Sequence, residues 1–323
     1  MYFDELDLND NVLDALYDMH FEECTPVQEN CIPEILKGRD VLGVAQTGTG
    51  KTAAYLLPIL SKLDSGGYPK DSINCVIMSP TRELAQQIDQ AFQGFGYYLN
   101  GVSSVPVYGG NDGNRFDQET KGMRMGADVV IATPGRFISH INIGNVDLSK
   151  TSFFILDEAD RMFDMGFYPD LRKILKFVPK AQERQTMLFS ATLNSYVKNL
   201  AWEYTLNPKE IEIECENITV SEITQELFHV SSDEKIMLLN GILKRENPKS
   251  VIIFCNTKRS CEVVAKRLQL NDFKSDFIIG DLPQSVRLKK LNSFKDGTLS
   301  ILVATDVAAR GIDVSDLEMV INY

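Results

Sequence analysis

A glycine-rich turn follows a short apolar run in the stretch Asp40-Val41-Leu42-Gly43-Val44-Ala45-Gln46-Thr47-Gly48-Thr49-Gly50-Lys51-Thr52. The run is apolar at nearly every position, which is typical of a strand buried on both faces of a parallel sheet. An apolar helical pattern comes next, so the turn lies between a strand and a helix, as a phosphate-binding loop requires. Ala45 stands where the general pattern has its first glycine. The alternative is a plain strand-to-helix turn with a surface lysine.

The chemistry of a phosphate-binding loop gives each position of the turn a role. Glycines let backbone N–H groups point at the phosphates, and the start of the helix adds a positive dipole. Lys51 reaches the outer phosphates as the cationic catalytic residue, and the Thr52 hydroxyl can ligate magnesium. The sequence therefore predicts a nucleotide site formed by Gln46, Thr47, Gly48, Thr49, Gly50, Lys51 and Thr52.

Further apolar runs alternate with helical patterns along the chain. The spacing of apolar residues predicts amphipathic helices over 81–95 and 196–204, starting near Pro80 and Asn194. This alternation predicts an α/β fold built on parallel sheets. The runs expected to be strands in the first part of the chain are Cys75 to Met78, Asp128 to Ile131, Phe153 to Leu156 and Thr186 to Phe189.

Two domains are expected, because 323 residues exceed the size at which one hydrophobic core usually stops growing. The alternation weakens after Pro208, where a Glu-rich segment has no clear helical face, and it restarts with strands expected at 250–255, 277–279, 300–304 and 320–323. We predict a first domain over 1–208, a linker over 209–224 and a partial second domain over 225–323.

An acidic group follows the predicted strand that ends at Leu156. Asp157 and Glu158 stand at the carboxyl end of this strand, where an acidic residue can meet a magnesium ion bound at the phosphate loop. Asp157 would hold the ion and Glu158 would orient or deprotonate the attacking water. An exposed acidic turn is the alternative, and the phosphate loop in the same domain disfavours it.

Composition excludes several classes of protein. The charge is −12, which argues against a broad basic surface for nucleic acid, although a local cleft can still hold a strand. The six cysteines are scattered without a Cys-x-x-Cys pair, so neither a zinc site nor a disulfide framework is expected. No apolar stretch is long enough to span a bilayer and the first residues lack signal-peptide character, which predicts a cytoplasmic protein without membrane contact.

The acidic group spells Asp157-Glu158-Ala159-Asp160, and from here the sequence resembles the DEAD-box RNA helicases over essentially its whole length. The resemblance rests on an ordered series of motifs. They are Phe3, Phe21, Thr25-Pro26 and Gln28; the phosphate loop; Pro80 to Ala85; Gly109-Gly110; Thr133-Pro134-Gly135-Arg136; the acidic box; Ser190-Ala191-Thr192; Ile253 to Thr257; Gln284 to Arg287; and Ala304 to Asp313.

The resemblance implies two RecA-like domains of helicase superfamily 2, the second incomplete in this chain, with ATP and Mg²⁺ as cofactors and RNA as partner. It implies that Phe21 stacks on adenine, that Gln28 pairs with its edge, and that Asp313 belongs to the nucleotide site. The residues implied for sequence-independent RNA binding are Arg82, Gly110, Thr133, Arg136, Thr257, Gln284, Arg287 and Thr305. Those implied for coupling ATP to RNA are Asp160, Ser190, Thr192 and Arg310.

The chain departs from the family pattern in places. His20 replaces the glycine that usually precedes the stacking aromatic, and the family's final motif, which holds the arginines that reach the γ-phosphate, has no counterpart before Tyr323. Because arginine fingers contribute about 10³–10⁵ in rate, we expect these 323 residues to be a trimmed chain that turns over slowly.

The resemblance implies ATP-dependent RNA unwinding as the function. The sequence is most similar to bacterial family members that belong to RNA-degradation assemblies. Two alternatives within RNA biology stay open: an ATP-gated RNA clamp and a helicase of ribosome assembly. A DNA-directed motor is a further alternative, and the adenine-recognition motif and the Asp-Glu-Ala-Asp spelling disfavour it.

Overall fold

The structure, a computed structural model, describes residues 1–109, 113–213, 223–305 and 317–323. The chain divides into two compact units, Met1–Ile218 and Thr219–Tyr323. Each unit is built on its own parallel sheet with helices packed against it, so the predicted α/β class is confirmed.

Within the described residues, the first unit contains a sheet of seven parallel strands in the order β3-β4-β2-β5-β6-β1-β7. The strands β1, β2, β4, β5 and β6 are buried along almost their whole length, which explains why their sequences are apolar on both faces. The strands are β1 Val41–Val44, β2 Cys75–Met78, β3 Ser104–Val107, β4 Val129–Ala132, β5 Phe153–Leu156, β6 Gln185–Ser190 and β7 Lys209–Glu212.

Helices cover both faces of this sheet. One core joins alternate strand residues to α1–α4, and a second core joins the opposite strand residues to α6–α9. A short 3₁₀ turn at Phe3–Glu5 precedes them. The helices are α1 Asp10–Asp18, α2 Pro26–Leu36, α3 Lys51–Ser65, α4 Arg82–Phe95, α5 Gly113–Arg124, α6 Pro134–Asn142, α7 Ala159–Asp164, α8 Tyr168–Ile174 and α9 Ser195–Tyr204.

Side-chain caps mark the starts of the two helices that the sequence predicted. The Thr81 hydroxyl accepts a hydrogen bond from the backbone N–H of Leu84 at the start of α4. The Asn194 side chain accepts from the backbone N–H groups of Tyr196 and Val197 at the start of α9. Both helices therefore begin where a polar side chain satisfies N–H groups that have no partner inside the helix.

The predicted linker begins too early. Residues 209–212 form β7, which pairs in parallel register with β1, so the first unit extends past residue 208. The sequence of this strand lacks an apolar pattern because only Ile211 of its four residues is buried, as expected of an edge strand with one face in solvent. The rest of the predicted linker falls largely on residues 214–222, outside the described residues.

The second unit contains, within the described residues, four parallel strands in the order β11-β8-β10-β9. Its main core joins β8 and β10 to α10 and α11. The elements are α10 Lys235–Glu246, β8 Val251–Phe254, α11 Lys258–Gln269, β9 Ser275–Ile278, α12 Gln284–Lys295, β10 Ile301–Ala304 and β11 Met319–Asn322. Across the described parts of both units, none of the helices has the length and apolarity needed to cross a membrane.

Candidate functional site

The turn between β1 and α3 is the starting point of the site. Gly48 and Gly50 have φ angles of 82° and 89°, in the left-handed region that residues with a Cβ rarely adopt. A Cβ on Gly50 would lie 2.3 Å from Nε2 of Gln28, so space as well as backbone conformation requires glycine there. The sequence of the turn thus produces a tight loop that ends at the N-terminus of a 15-residue helix.

Lys51 is enclosed by this loop. Its side chain is buried, and Nζ donates to the carbonyl oxygen of Ala45 and, over 3.2 Å, to that of Gln46. The Thr49 hydroxyl also donates to the carbonyl of Gln46, over 2.7 Å. Burial lowers the pKa of Lys51, and the nearby carboxylates of Asp157 and Glu158 oppose that shift. A cation held among backbone carbonyls in this way is suited to receive an anionic group.

Asp157 follows β5 and is 2% exposed. Its Oδ1 accepts from the backbone N–H of Glu158 over 2.9 Å, and its Oδ2 accepts from the hydroxyl of Tyr55 over 2.8 Å. Burial raises the pKa of Asp157, while Tyr55 and Lys51 act to lower it. β1 and β5 both pair in parallel with β6, which lies between them. The loop and this carboxylate therefore follow the carboxyl ends of two strands that are separated by one strand.

Tyr55 is a member of the site that the sequence analysis missed. It lies on α3, three positions after Thr52, and is fully buried. Tyr55 therefore joins the helix that carries the predicted magnesium ligand Thr52 to the predicted magnesium ligand Asp157. The available signal was the spacing of Tyr55, which lies three positions after Thr52 and four after Lys51. Residues at these spacings share one face of a helix.

Glu158 has a strained backbone. Its φ of 51° is in the left-handed region and its side chain is nearly buried, with Oε2 accepting from Nη1 of Arg161 over 2.9 Å. Burial raises the pKa of Glu158, and the ion pair with Arg161 partly offsets this. Non-glycine residues in this conformation concentrate at functional sites, where the surrounding structure maintains the strain.

Three of the residues predicted to couple ATP to RNA lie together. Oδ2 of Asp160 accepts from both the backbone N–H and the hydroxyl of Thr192, over 3.1 and 2.9 Å. The Ser190 hydroxyl donates to the carbonyl oxygen of Thr192 over 2.8 Å. The acidic box is thus joined directly to the loop that follows β6. Arg310, the fourth predicted member, is outside the described residues.

Gln28 lies against the phosphate loop. Its Nε2 donates to the carbonyl of Gly50 over 3.1 Å, and its Oε1 accepts from the backbone N–H of Thr25 over 2.9 Å. One amide hydrogen and one lone pair remain for a further partner. Phe21 keeps 41% of its surface exposed and packs edge-on against Phe95.

His20, next to Phe21, has a φ of 58°. This left-handed conformation is the physical reason why glycine suits that position in the family pattern. Asp313, the remaining residue predicted for the nucleotide site, is outside the described residues.

Two predicted RNA-binding arginines of the first unit are neighbours. A Cβ built on Gly109 would lie 3.6 Å from Cβ of Arg136 and 3.7 Å from Nη2 of Arg82, so both arginines border the same glycine. Thr133 precedes α6, and its backbone N–H donates to the carbonyl of Val107. Gly110 is outside the described residues.

The predicted RNA-binding residues of the second unit lie at the carboxyl ends of strands or at helix starts. Thr257 follows β8 closely and caps α11, with its hydroxyl accepting from the backbone N–H of Ser260 over 3.0 Å. Thr305 follows β10, and Gln284 and Arg287 lie in the first turn of α12. The side chain of Gln284 is outside the described part of the structure.

Comparison with known proteins agrees with this geometry. A family model described as DEAD/DEAH box helicase matches residues 25–200, and one described as helicase conserved C-terminal domain matches residues 234–323. The ATP-dependent RNA helicase RhlB of Pseudoalteromonas atlantica is 41% identical over 323 residues, which cover this whole chain and 76% of that relative. The chain belongs to the DEAD/DEAH box helicase family. The resemblance found in the sequence is confirmed.

Other relatives of this helicase chain include the ATP-dependent RNA helicase DeaD of Escherichia coli, 40% identical over 99% of this chain. This chain spans 50% of the length of DeaD. Because DeaD and RhlB match at nearly equal identity, the comparison does not single out an RNA-degradation subfamily.

Solved structures give the same assignment. A DEAD box protein from Methanococcus jannaschii is 36% identical with a TM-score of 0.60, covering all of this chain and 85% of that chain. Saccharomyces cerevisiae Dbp5 bound to RNA and ADP BeF₃ is 29% identical with a TM-score of 0.82, covering all of this chain and 80% of that one. The predicted fold of two RecA-like domains is thereby confirmed.

Proposed function

We propose that this protein is an ATP-dependent RNA helicase that couples ATP binding and hydrolysis to RNA binding and local duplex unwinding. Two groups of hydrogen bonds at the acidic box carry the proposal: Tyr55 of α3 donates to Asp157, next to Glu158, and Thr192 donates to Asp160. They connect a phosphate-binding loop to an acidic box and the acidic box to a further loop. Cytoplasmic RNA turnover in a bacterial cell, in an assembly with a ribonuclease, is the setting we propose.

The residues present fit ATP and Mg²⁺. Gly48 and Gly50 keep the loop free of side chains at two turns, and Lys51 is the buried cation that phosphates require. Magnesium in such sites keeps several waters and takes one or two protein oxygens plus phosphates. Thr52 and Asp157 are the oxygen donors of this chain that suit it, and the ion would neutralise charge that develops on the phosphates.

Glu158 is the residue that would orient the attacking water. Its carboxylate must be ionised to accept a proton or a hydrogen bond from water, and Arg161 favours the ionised form. Lys51 would exchange the carbonyls of Ala45 and Gln46 for phosphate oxygens, with little movement of its side chain. Phe21 and Gln28 would give adenine a stacking surface and a two-point edge contact, which would select ATP.

RNA binding would use guanidinium, hydroxyl and backbone donors, which recognise phosphates and 2′-hydroxyls without reading bases. Arg82, Thr133 and Arg136 are the described candidates of the first unit. Thr257, Arg287 and Thr305 are those of the second, and Gly110 and Gln284 complete the proposed set. Coupling would run from Asp160 to Thr192, because the same carboxylate oxygen binds both donors of Thr192.

The test is ATP hydrolysis by the protein with and without single-stranded RNA, alongside Glu158→Gln. The glutamine variant keeps the volume of the side chain and removes the charge that water activation needs. We expect slow hydrolysis that RNA stimulates and that is abolished in the variant, with nucleotide binding retained. An equal response to single-stranded DNA would contradict the assignment to RNA.

Strand displacement on a short RNA duplex separates unwinding from clamping. Release of the shorter strand that depends on ATP supports the helicase. RNA held tightly in the presence of an ATP analogue, without displacement under any nucleotide condition, would overturn the unwinding activity and favour an ATP-gated clamp.

A further inference from the structure

Arg136 of α6 lies beside a buried carboxylate that belongs to α5, the preceding helix in the chain. Glu119 of α5 is 3% exposed, and its Oε2 accepts from Nε of Arg136 over 2.7 Å and from Nε2 of His140 over 2.8 Å. The other oxygen, Oε1, lies 3.7 Å from Nε of Arg115. Burial acts to raise the pKa of Glu119, but the hydrogen bonds from His140 and Arg136 outweigh it and lower the pKa. The carboxylate is therefore an ionised acceptor at neutral pH.

Aromatic rings complete the enclosure of Arg136. Its guanidinium carbon lies 4.4 Å from the centre of the Phe116 ring, and the fully buried His140 ring stacks on that same ring at 4.0 Å and 10°. His140 is thus held by the face of the Phe116 ring and by Oε2 of Glu119, the same oxygen that Arg136 binds. Arg115 in turn lies 3.8 Å from the centre of the Tyr108 ring, next to Gly109.

This arrangement limits the freedom of a long side chain. An unrestrained arginine loses rotamer entropy when it binds in one geometry. Arg136 has much of this freedom removed before any ligand arrives, because Nε is bound by Glu119 and the guanidinium carbon lies over the Phe116 ring. Its side chain is only 16% exposed, and its Cβ and Cδ border Gly109 on the same side that Nη2 of Arg82 approaches.

We infer that Glu119 is a positioning residue for RNA binding: with His140 behind it, the carboxylate holds the Arg136 guanidinium in the orientation that contacts the RNA backbone. The inference rests on the proposed RNA-binding function and adds two residues that the sequence motifs do not contain. A rival interpretation is that Glu119 masks the charge of Arg136. The two interpretations predict opposite effects of removing Glu119 on RNA affinity. RNA binding becomes stronger if Glu119 masks Arg136 and weaker if Glu119 supports it.

A double-mutant cycle on RNA affinity tests the inference. The dissociation constant of a labelled single-stranded RNA is measured with an ATP analogue for the unchanged protein, Glu119→Ala, Arg136→Ala and the double variant. We expect each single variant to weaken binding about 10-fold, the size of one charge-assisted hydrogen bond, and the double variant to lose no more than Arg136→Ala does. Glu119→Gln, which keeps an acceptor for one donor, should lose less.

Each outcome has a distinct meaning. Tighter binding by Glu119→Ala would overturn the inference in favour of masking, and losses that add up would make Glu119 a general structural residue. Unchanged RNA affinity in Arg136→Ala would also overturn it while leaving RNA binding itself intact. No RNA binding by the unchanged protein would instead overturn the proposed function. If Glu119→Ala fails to fold, Glu119→Gln and its combination with Arg136→Ala give the same comparison, and nucleotide affinity verifies the fold.

Discussion

The hydroxyl of Tyr55 donates a hydrogen bond of 2.8 Å to Oδ2 of Asp157, joining the phosphate-loop helix to the acidic box across 102 residues of chain. Both groups are buried, so neither exchanges this partner for water. The bond also favours the ionised carboxylate, since Tyr55 acts to lower the pKa of Asp157 against the effect of burial. The predicted magnesium ligand therefore depends on a tyrosine that belongs to no recognised motif.

Tyr55→Phe should raise the magnesium concentration that ATP hydrolysis requires. Without the hydroxyl, Asp157 loses its fixed orientation and a contribution that keeps it ionised. We expect the magnesium concentration for half-maximal ATP hydrolysis to rise about 3- to 10-fold, the range of one hydrogen bond. Tyr68→Phe, at a half-buried tyrosine whose ring packs at a tilt against Phe153, is the matched control and should leave this concentration unchanged. An equal magnesium requirement in the unchanged protein and Tyr55→Phe would contradict the role.

Arg161→Met should move the acidic limb of the pH–rate profile of ATP hydrolysis to higher pH. Burial places the pKa of Glu158 above its ordinary value, and Arg161 lowers it from there. Removing the guanidinium leaves burial and Asp157, which raise the pKa, opposed only by the smaller effect of Lys51, so Glu158 takes up its proton at a higher pH and activity falls earlier on acidification. The measurement is the pH dependence of kcat at saturating ATP and RNA. A limb that stays in place would show that Glu158 does not control it.

Thr192→Val should uncouple hydrolysis from RNA. The variant removes the hydroxyl donor to Asp160 and keeps the backbone donor, so the loop stays attached by one bond of two. We expect the stimulation of ATP hydrolysis by RNA to fall about 10-fold, with ATP affinity nearly unchanged. Thr298→Val breaks a similar threonine–aspartate contact on the surface of the second unit and is the control. Equal losses in both variants would contradict a coupling role.

Gly50→Ala should abolish nucleotide binding. The change combines a left-handed backbone, worth about 1–2 kcal/mol, with a Cβ 2.3 Å from the Gln28 amide. Gly67→Ala separates these causes, because Gly67 has a φ of 91° and open space around its would-be Cβ. The affinity for a fluorescent ATP analogue should be lost only in Gly50→Ala. Retained affinity there would mean that the loop conformation is not required.

Asp40→Ala should destabilise the first unit. Asp40 accepts from the backbone N–H groups of Thr186 and Leu206, over 2.8 and 2.6 Å, and so connects the start of β1 to β6 and to the segment before β7. An unpaired buried N–H costs about 1–3 kcal/mol, so the free energy of unfolding should fall by at least that amount in urea denaturation. Asp40→Asn, which keeps one acceptor, should lose less. Equal stability of all three proteins would contradict the role of Asp40.

Strands in the middle of each sheet were predictable from the sequence. The two edge strands of the first sheet, β3 and β7, were not. β2 and β5 are buried at every position and match the predicted bounds, because burial on both faces requires apolar residues throughout. β3 and β7 pair on one side only. Pro106 is tolerated in β3 at such an edge, and β7 buries one residue of four. Their sequences therefore lack the pattern that marks a strand.

Chemistry that resides in consecutive residues was readable from the chain alone: the phosphate loop, the acidic box and the helix caps depend on local geometry, which neighbouring residues determine. The partners of those residues were not. Tyr55 against Asp157 and Glu119 against Arg136 are brought together by packing of elements distant or separated in sequence. A carboxylate's pKa depends on its burial and on every donor within a few ångströms, and both are properties of the folded chain. Motifs therefore indicated the chemistry proposed for this member of the DEAD/DEAH box helicase family, while the packing of its helices on the sheet set the orientation and charge of the candidate site residues.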